Sequence, residues 1–313
     1  MVSKDFLESV FDRALDVTAV ISLTVEPLTI IIMLLYTPKR IRRYSFFLIN
    51  ITLWCFLANL VFSIFHPMPM MPLVCFKLNG ILHELFTFDH EYIGHILLFT
   101  ILLFAMNATC GIFISFQFRY MSLAQFETIR NIRTIWGYIY CVFLHLTVCG
   151  LTITLYQRFI ISNADYGIDP TTVDSTSMFC FQPSGVNKIL PIGAFFAYFM
   201  IVVIGVVILG VLCSCKIQCK NGVFSPKTMQ LQKRLLWNLL VLCTIPFCLA
   251  GIPFLIVSAT VYFNHFTHAR LICTIAMIPI VNHGALTCMA IIVMFKDYRQ
   301  AVCRLVSRAL GRK

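Results

Sequence analysis

The sequence is short of charge. Only 12% of its 313 residues are Asp, Glu, Lys or Arg, about half the share found in a soluble protein of that length. Acidic residues are the scarcer kind, 13 against 24 basic ones. No internal repeat of solenoid length and no low-complexity segment stands out. Catalytic signatures are missing as well: there is no His-box array, no pair of intramembrane aspartates, no nucleophile elbow and no phosphate-binding Gly loop. A non-enzymatic chain with no cofactor is therefore expected. "HELFTFDHEYIGH", His83 to His95, looks at first like a metal cluster. The zinc-protease pattern needs two His four apart around a Glu, whereas His90 and His95 are five apart, about 140° apart on a helix. No metal site is expected, and the segment reads as a polar outer entrance. No cleavable signal peptide is expected either, because residues 1–13 are polar and the first apolar run is a full span rather than a short h-region.

Apolar residues fill the space that charge leaves. Hydrophobic residues make up 59% of the chain and the mean hydropathy is +0.88. A stretch of about 18 or more residues with few charges is long enough to cross a bilayer as a helix. Seven such runs are legible, at about 17–36, 44–65, 95–118, 135–155, 190–213, 236–262 and 271–295. The third is the least tidy, because polar residues crowd its start. The runs leave no room for a separate soluble domain, so the expected fold is an all-α membrane protein, a bundle of seven transmembrane helices over residues 1–295. Asn50 and Asn107 open N-x-Thr patterns, but both fall in or beside the membrane and neither reads as a glycan site.

The net charge of +11 invites a nucleic-acid reading, and the placement of the charges argues against it. Lys39, Arg40, Arg42 and Arg43 lie between runs one and two; Arg119, Arg130 and Arg133 between three and four; Lys216, Lys220, Lys227, Lys233 and Arg234 between five and six; Lys296, Arg299, Arg304, Arg308, Arg312 and Lys313 after seven. Eighteen of the 24 basic residues thus share one side. Cytoplasmic loops hold the excess of Lys and Arg, so the N-terminus is expected outside and the C-terminus inside. Asp165, Asp169 and Asp174 fall together in one outer loop. The basic face would meet the anionic inner leaflet or a cytosolic protein, not a nucleic acid.

"SPKTMQLQKRLLWNLLVLCTIPF", Ser225 to Phe247, changes from basic to apolar with no turn between. It reads as the inner end of span six. Lys227, Gln230, Arg234 and Asn238 follow i, i+3, i+7, i+11, which carries one polar stripe into the membrane. Met229, Leu236 and Leu240 lie mostly on other faces and would meet lipid. Trp237 marks the headgroup boundary, as does Trp136 in span four. Pro246 and Pro253, seven apart, each remove a backbone hydrogen bond and favour a kink. A kinked helix with a basic inner end can swing that end when its outer half is pulled; the plainer reading of the basic end is a topology signal.

"SPKTMQLQKRLLWNLLVLCTIP", "VNHGALTCMAIIVMFKDYR" and "HPMPMMPLVCFKLNG" resemble segments of nematode serpentine chemoreceptors of classes H and I. The resemblance implies a seven-helix, G-protein-coupled chemosensory receptor in the plasma membrane, in that family at sensory-neuron cilia. The chain departs from the family pattern at the end of span seven. Asn282-His283-Gly284 and Asp297-Tyr298-Arg299 stand where Ser-His-Gly and Pro-Tyr-Arg are usual. Cys75, before span three, and Cys180, in the loop before span five, are similar in place to the receptor disulfide that ties that loop to helix three. Arg119-Tyr120 is similar in place to the Arg-Tyr that many such receptors turn toward the G protein, although Phe118 and Gln117 replace the usual acidic neighbour. Lys227 and Arg234 would join that surface, or serve as inside anchors only.

The remaining candidates come from the residues themselves. Glu26 is the lone acid deep in a span. An ionisable group there costs about 2.5–3.5 kcal/mol on insertion scales and marks a functional candidate. It would contact ligand, or hydrogen-bond within the bundle beside Pro27. Asn59 and Asn282, with His283, read as interhelical polar glue or part of a switch. "CSCKIQC" at 213–219 has no His and no second cluster, so its thiols read as boundary cysteines open to acylation rather than a zinc site. The tail places Tyr298, Val302, Leu305 and Ala309 on one helical face and Arg304, Arg308 and Arg312 on another. This predicts a short basic amphipathic helix over 296–313 along the inner leaflet, with Cys303 as an acyl anchor.

The expected function is binding of a small chemical cue in the outer half of the bundle, with activation of a heterotrimeric G protein through the basic ends of spans three, five and six. Whether the receptor forms oligomers is left open. The alternative is a ligand-gated channel or small-solute transporter with seven helices. Seven-helix chemosensory channels keep the N-terminus inside, opposite to the charge count here. Transporters usually repeat their halves and carry several midplane polar groups, whereas only Glu26 stands deep.

Overall fold

The structure is a computed structural model and describes residues 4–80, 90–124, 134–167, 178–219 and 226–309. His83, Arg130, Arg133, Asp169, Asp174, Lys220, Arg312 and Lys313, all weighed above, lie outside the described residues. Helices α1 (Lys4–Tyr36), α2 (Arg42–Phe65), α3 (His90–Ala124), α4 (Thr134–Phe159) and α5 (Val186–Cys219) are spans one to five. Span six is α6 (Pro226–Pro246), a π-helical turn (Phe247–Gly251) and α7 (Ile252–Tyr262); span seven is α8 (Ala269–Met294). These seven helices are long and apolar enough to cross a membrane. Their outward faces carry Val20, Leu35, Phe143, Leu146, Ile201 and Val293 bare. Water would not tolerate that surface, but lipid does, because a helix satisfies its own backbone groups. The chain is a multi-pass membrane protein.

Most helices outrun their apolar stretches. α1 starts at Lys4 rather than near 17, because Phe11 and Leu15 turn inward and bury, while the polar side of the same turns makes ion pairs. Glu8 accepts a hydrogen bond from Asn79 Nδ2 (2.9 Å) and pairs with Lys77 (3.6 Å) and Arg270 (3.7 Å). The polar N-terminal residues are thus an amphipathic continuation of span one.

The same end of the bundle is closed by a small antiparallel sheet in the order β1 (Pro67–Pro69), β2 (Cys75–Leu78), β4 (Met178–Phe181), β3 (Ile160–Ile161). Cys75 faces Cys180 across β2 and β4, and the two are joined by a disulfide. All of β4 is buried. Phe179 and Phe181 pack with Phe65, Phe76, Tyr156 and Phe159 into an aromatic plug. His95 lies inside it, 5.2 Å from both the Phe179 and Phe181 rings, and its carbonyl accepts from the Tyr156 hydroxyl at 2.8 Å. A Cβ on Gly94 would come within 2.4 Å of Phe179, so glycine is what allows the sheet to sit this low. The polar entrance expected at His83–His95 is therefore corrected at its described end, where α3 turns His95 into the plug. Lys188 Nζ donates to Asn264 Oδ1 (3.0 Å), and Asn264 Nδ2 donates to the Pro72 carbonyl. These bonds lace the sheet to the start of span five and the loop after span six.

At the opposite, basic end the tail forms α9 (Lys296–Ala309). Its apolar face does not simply lie on lipid as expected. Tyr298 is 0% exposed and Ala301 is buried, and Val302 and Leu305 pack against the same core cluster. The Tyr298 hydroxyl shares hydrogen bonds with Ser45 Oγ and Thr37 Oγ1, both at 2.9 Å. Arg304, Arg308 and Cys303 stay exposed. Span six departs from expectation too. Met229 and Leu236 are buried and Leu240 is half-buried, while Lys227, Gln230, Arg234 and Trp237 are exposed. The apolar side of α6 faces the bundle and the basic stripe faces out, because the loop-side half of this helix needs solvent for its charges and a neighbour for its leucines. Since Thr37 and Ser45 also bond each other at 3.0 Å, Tyr298→Phe should destabilise by only about 1 kcal/mol, whereas Tyr298→Ala, which empties a buried ring site, should cost about 3–5 kcal/mol. Thermal unfolding of purified protein measures both; equal melting of the two variants would contradict the anchor.

Candidate functional site

A cavity of about 330 Å³ lies at mid-height between spans two, three, five, six and seven. Asn59, Thr109, Tyr198, Thr244 and His283 are its polar lining, set in an apolar wall with no Asp, Glu, Lys or Arg. It is more central than the outer-half site that the sequence led us to expect, because the sheet and its aromatic plug occupy the space above.

Span six shapes one side. Proline at 246 and 253 deprives the helix of two donors and crowds the carbonyl four residues before each. The chain responds by widening. Ile252 N–H reaches the Phe247 carbonyl, and the five residues Phe247–Gly251 form a π turn, an irregularity often found at functional positions. Pro246, Phe247, Ala250 and Gly251 all line the cavity, while Pro253 is buried just beyond. A Cβ on Gly251 would meet the Phe199 ring at 2.3 Å, so this glycine permits span five to press its ring onto the turn.

The opposite side is polar. Asn59 Nδ2 donates to Glu26 Oε1 at 2.7 Å. Glu26 is 0% exposed. It stands behind Asn59, outside the residues that line the cavity, and so meets the expected bundle role as the acceptor for Asn59. Span seven closes on the pair through Gly284, where a Cβ would lie 2.5 Å from Asn59 Nδ2 and 2.7 Å from Glu26 Oε1. The neighbouring Asn282 donates to Thr18 Oγ1 at 3.0 Å, and His283 Nε2 lies 3.5 Å from Cys55 Sγ. The Asn282-His283-Gly284 motif thus sends one residue to span one, one to the cavity and span two, and leaves a gap for Glu26 and Asn59.

At the basic end Arg119 is 6% exposed, and its guanidinium donates to the Gln232 carbonyl of span six at 2.7 Å. Its Nε has no partner among the described residues. In this conformation the residue latches span three to span six. Tyr120 is half-buried beside it, and Lys227 and Arg234 are exposed on the far face of α6. Sequence reasoning missed a second buried network. His145 Nδ1 lies 2.7 Å from Asn107 Oδ1, and Nε2 lies 3.3 Å from Asn50 Nδ2, joining spans two, three and four. The two Asn of the N-x-Thr patterns and the one His of span four were its signal.

Because both atoms nearest a Gly284 Cβ belong to the buried pair, Gly284→Ala should overpack the junction and cost about 1–3 kcal/mol. Gly150→Ala, where nothing lies within 4 Å, is the control. Matching thermal stability of the two variants would refute the close packing.

The family model for the serpentine type 7TM GPCR chemoreceptor Srh matches residues 7–308. A comparison with curated proteins finds no match. The match spans all seven helices, the sheet-forming segments and the tail helix nearly to its end, and it agrees with a ligand-sized cavity inside a seven-helix bundle. The chain belongs to the serpentine seven-transmembrane chemoreceptor family Srh.

Proposed function

We propose that this receptor binds a small chemical cue in the central cavity and uses the widened turn of span six to pass that occupancy to a heterotrimeric G protein at the basic end. One observation carries the reading: the π turn between Pro246 and Pro253 forms a cavity wall on the same helix whose basic end is held by Arg119. A ligand that favours a different shape of the turn would bias α6 away from span three, and it does so only by binding the shifted arrangement more tightly. Release of the Gln232 carbonyl would free Arg119 and open a surface edged by Tyr120, Lys227 and Arg234.

The positive-inside excess supports an extracellular N-terminus and a cytoplasmic basic end. On that orientation the disulfide and sheet face the oxidising side, where disulfides persist, and α9 lies against anionic lipid, with exposed Cys303 as its acylation candidate. Plasma membrane of sensory cilia is the compartment that the family suggests.

The test is a panel of small volatile and soluble compounds on cells expressing the receptor with a G-protein activation readout. A terminal epitope tag on each end reports orientation. Stimulation by a panel member is expected, with the N-terminal tag stained on intact cells. Lys227→Gln with Arg234→Gln should leave surface level near normal and weaken coupling severalfold. Currents that persist with G-protein signalling blocked, together with an intracellular N-terminus, would favour a channel instead.

A further inference from the structure

The cavity is closed toward both ends of the bundle. Above it, Phe65 and the sheet residues Met68, Phe179 and Phe181 are buried. Below it, Leu235, Leu239 and the Arg119–Gln232 latch fill the centre. Its wall is thinnest sideways, between spans five and six. Val207 and Phe247 line the cavity and are also 58% and 39% exposed on the bundle's outer surface, and Thr244 beside them is exposed as well. The Phe247 ring stacks on Phe199 across the seam, centroids 6.1 Å apart and planes within 6°. Phe247 is the first residue of the π turn, so the one ring that shuts the seam from span six rides on the least regular part of that helix.

We propose that the ligand is an uncharged lipophile that reaches the cavity from the bilayer through the seam between spans five and six, with Phe199 and Phe247 as the door. The outer surface at this depth faces hydrocarbon, so whatever passes Phe247 has already partitioned into lipid. The cavity wall offers no charged partner, and burying an ion there would be costly. Since lipid tails are as apolar as the wall, exchange from bilayer to cavity gains little from the hydrophobic effect. Affinity and choice then come from shape and from the few polar groups opposite the door, Asn59 and His283, which suit a single hydrogen-bonding group such as a hydroxyl or carbonyl. An apolar cavity of about 150 Å³ takes benzene, so this one holds a molecule about twice that size. The inference rests on the receptor reading only in taking the cavity as the ligand site; the measurements below are of binding and do not involve a G protein.

The probe is aminoanthracene, an apolar fluorophore that brightens in dry surroundings, added to the purified full-length protein in lipid nanodiscs. Saturable brightening is expected, abolished by filling the cavity with Ala250→Phe or Val203→Phe, whose folding is checked by thermal unfolding. Ile204→Trp, 52% exposed on span five beside Val207 and outside the cavity lining, crowds the seam from the lipid side without entering the binding volume. It should slow association and dissociation severalfold while leaving the equilibrium constant nearly unchanged. Leu146→Trp, on the lipid face of span four, should do neither. The association rate should follow the probe's concentration in the bilayer, set by the lipid-to-protein ratio, rather than its aqueous concentration. The proposal is overturned by the absence of saturable brightening, by brightening that survives both cavity-filling variants, or by unchanged rates in Ile204→Trp. Faster association in Phe181→Ala, with the seam variant unchanged, would place the route through the sheet.

Discussion

Within a bilayer a helix must satisfy every backbone group from inside itself, and span six breaks that rule on purpose at two places seven residues apart. Pro246 and Pro253 leave carbonyls that no regular α-helix can serve. Between the two prolines lies a π turn, in which Ile252 N–H reaches back to the Phe247 carbonyl. Everything around the turn is fitted to it. Gly251 admits the Phe199 ring, Phe247 stacks outside that ring, and the space left over is the cavity. The irregular stretch between the two prolines thus forms one wall of the cavity.

The other elements hold the two ends of the bundle still, which leaves this turn as the compliant part. The capped end is fixed by a covalent bond, by an aromatic plug and by polar bonds from Glu8, Lys188 and Asn264. Spans one, two and seven are pinned together by Glu26, Asn59 and the room that Gly284 leaves for them, and the tail is pinned to spans one and two by Tyr298. Spans two, three and four share the Asn50–His145–Asn107 network. Span six is different: its middle abuts the cavity, and the guanidinium of Arg119 holds the backbone of its basic end. A hydrogen bond from a charged donor is worth about 1.5–3 kcal/mol, within the 1–3 kcal/mol typical of coupling between sites. A single latch of that size can therefore be overturned by a ligand's differential affinity.

What the sequence showed and what it hid divide along a physical line. Apolar runs record contact with lipid, so the seven spans could be read directly, and the prolines of span six announced an irregularity there. Trp136 and Trp237 both face outward from the bundle. Contacts between spans leave no such periodic mark. Nothing in one sequence says that Gly284 must be small because Glu26, more than 250 positions earlier, needs the room. The apolar side of α6 was assigned to lipid because leucine suits lipid and a neighbouring helix equally well; Met229 and Leu236 took the helix. Tyr298 was read as a lipid-facing residue for the same reason, and the hydroxyls of Thr37 and Ser45 decided otherwise. The sheet escaped because its strands are two to four residues long, too short for alternation to register. Arg119 lies near the end of span three, as read, but its bond to the Gln232 carbonyl could not be read, since a charge count locates an arginine along the chain and not by partner.

The central claim is that cavity occupancy moves the basic end of span six away from span three. Spin labels on Gln230→Cys of α6 and Arg43→Cys of α2, both exposed at the basic end, with the exposed native cysteines Cys215, Cys219, Cys248 and Cys303 replaced, report that movement as a distance distribution by double electron–electron resonance. With an activating compound bound, the account expects the distribution to shift to longer distances, and the shift to vanish in Ala250→Phe. An unchanged distribution from a receptor that still activates its G protein would contradict it.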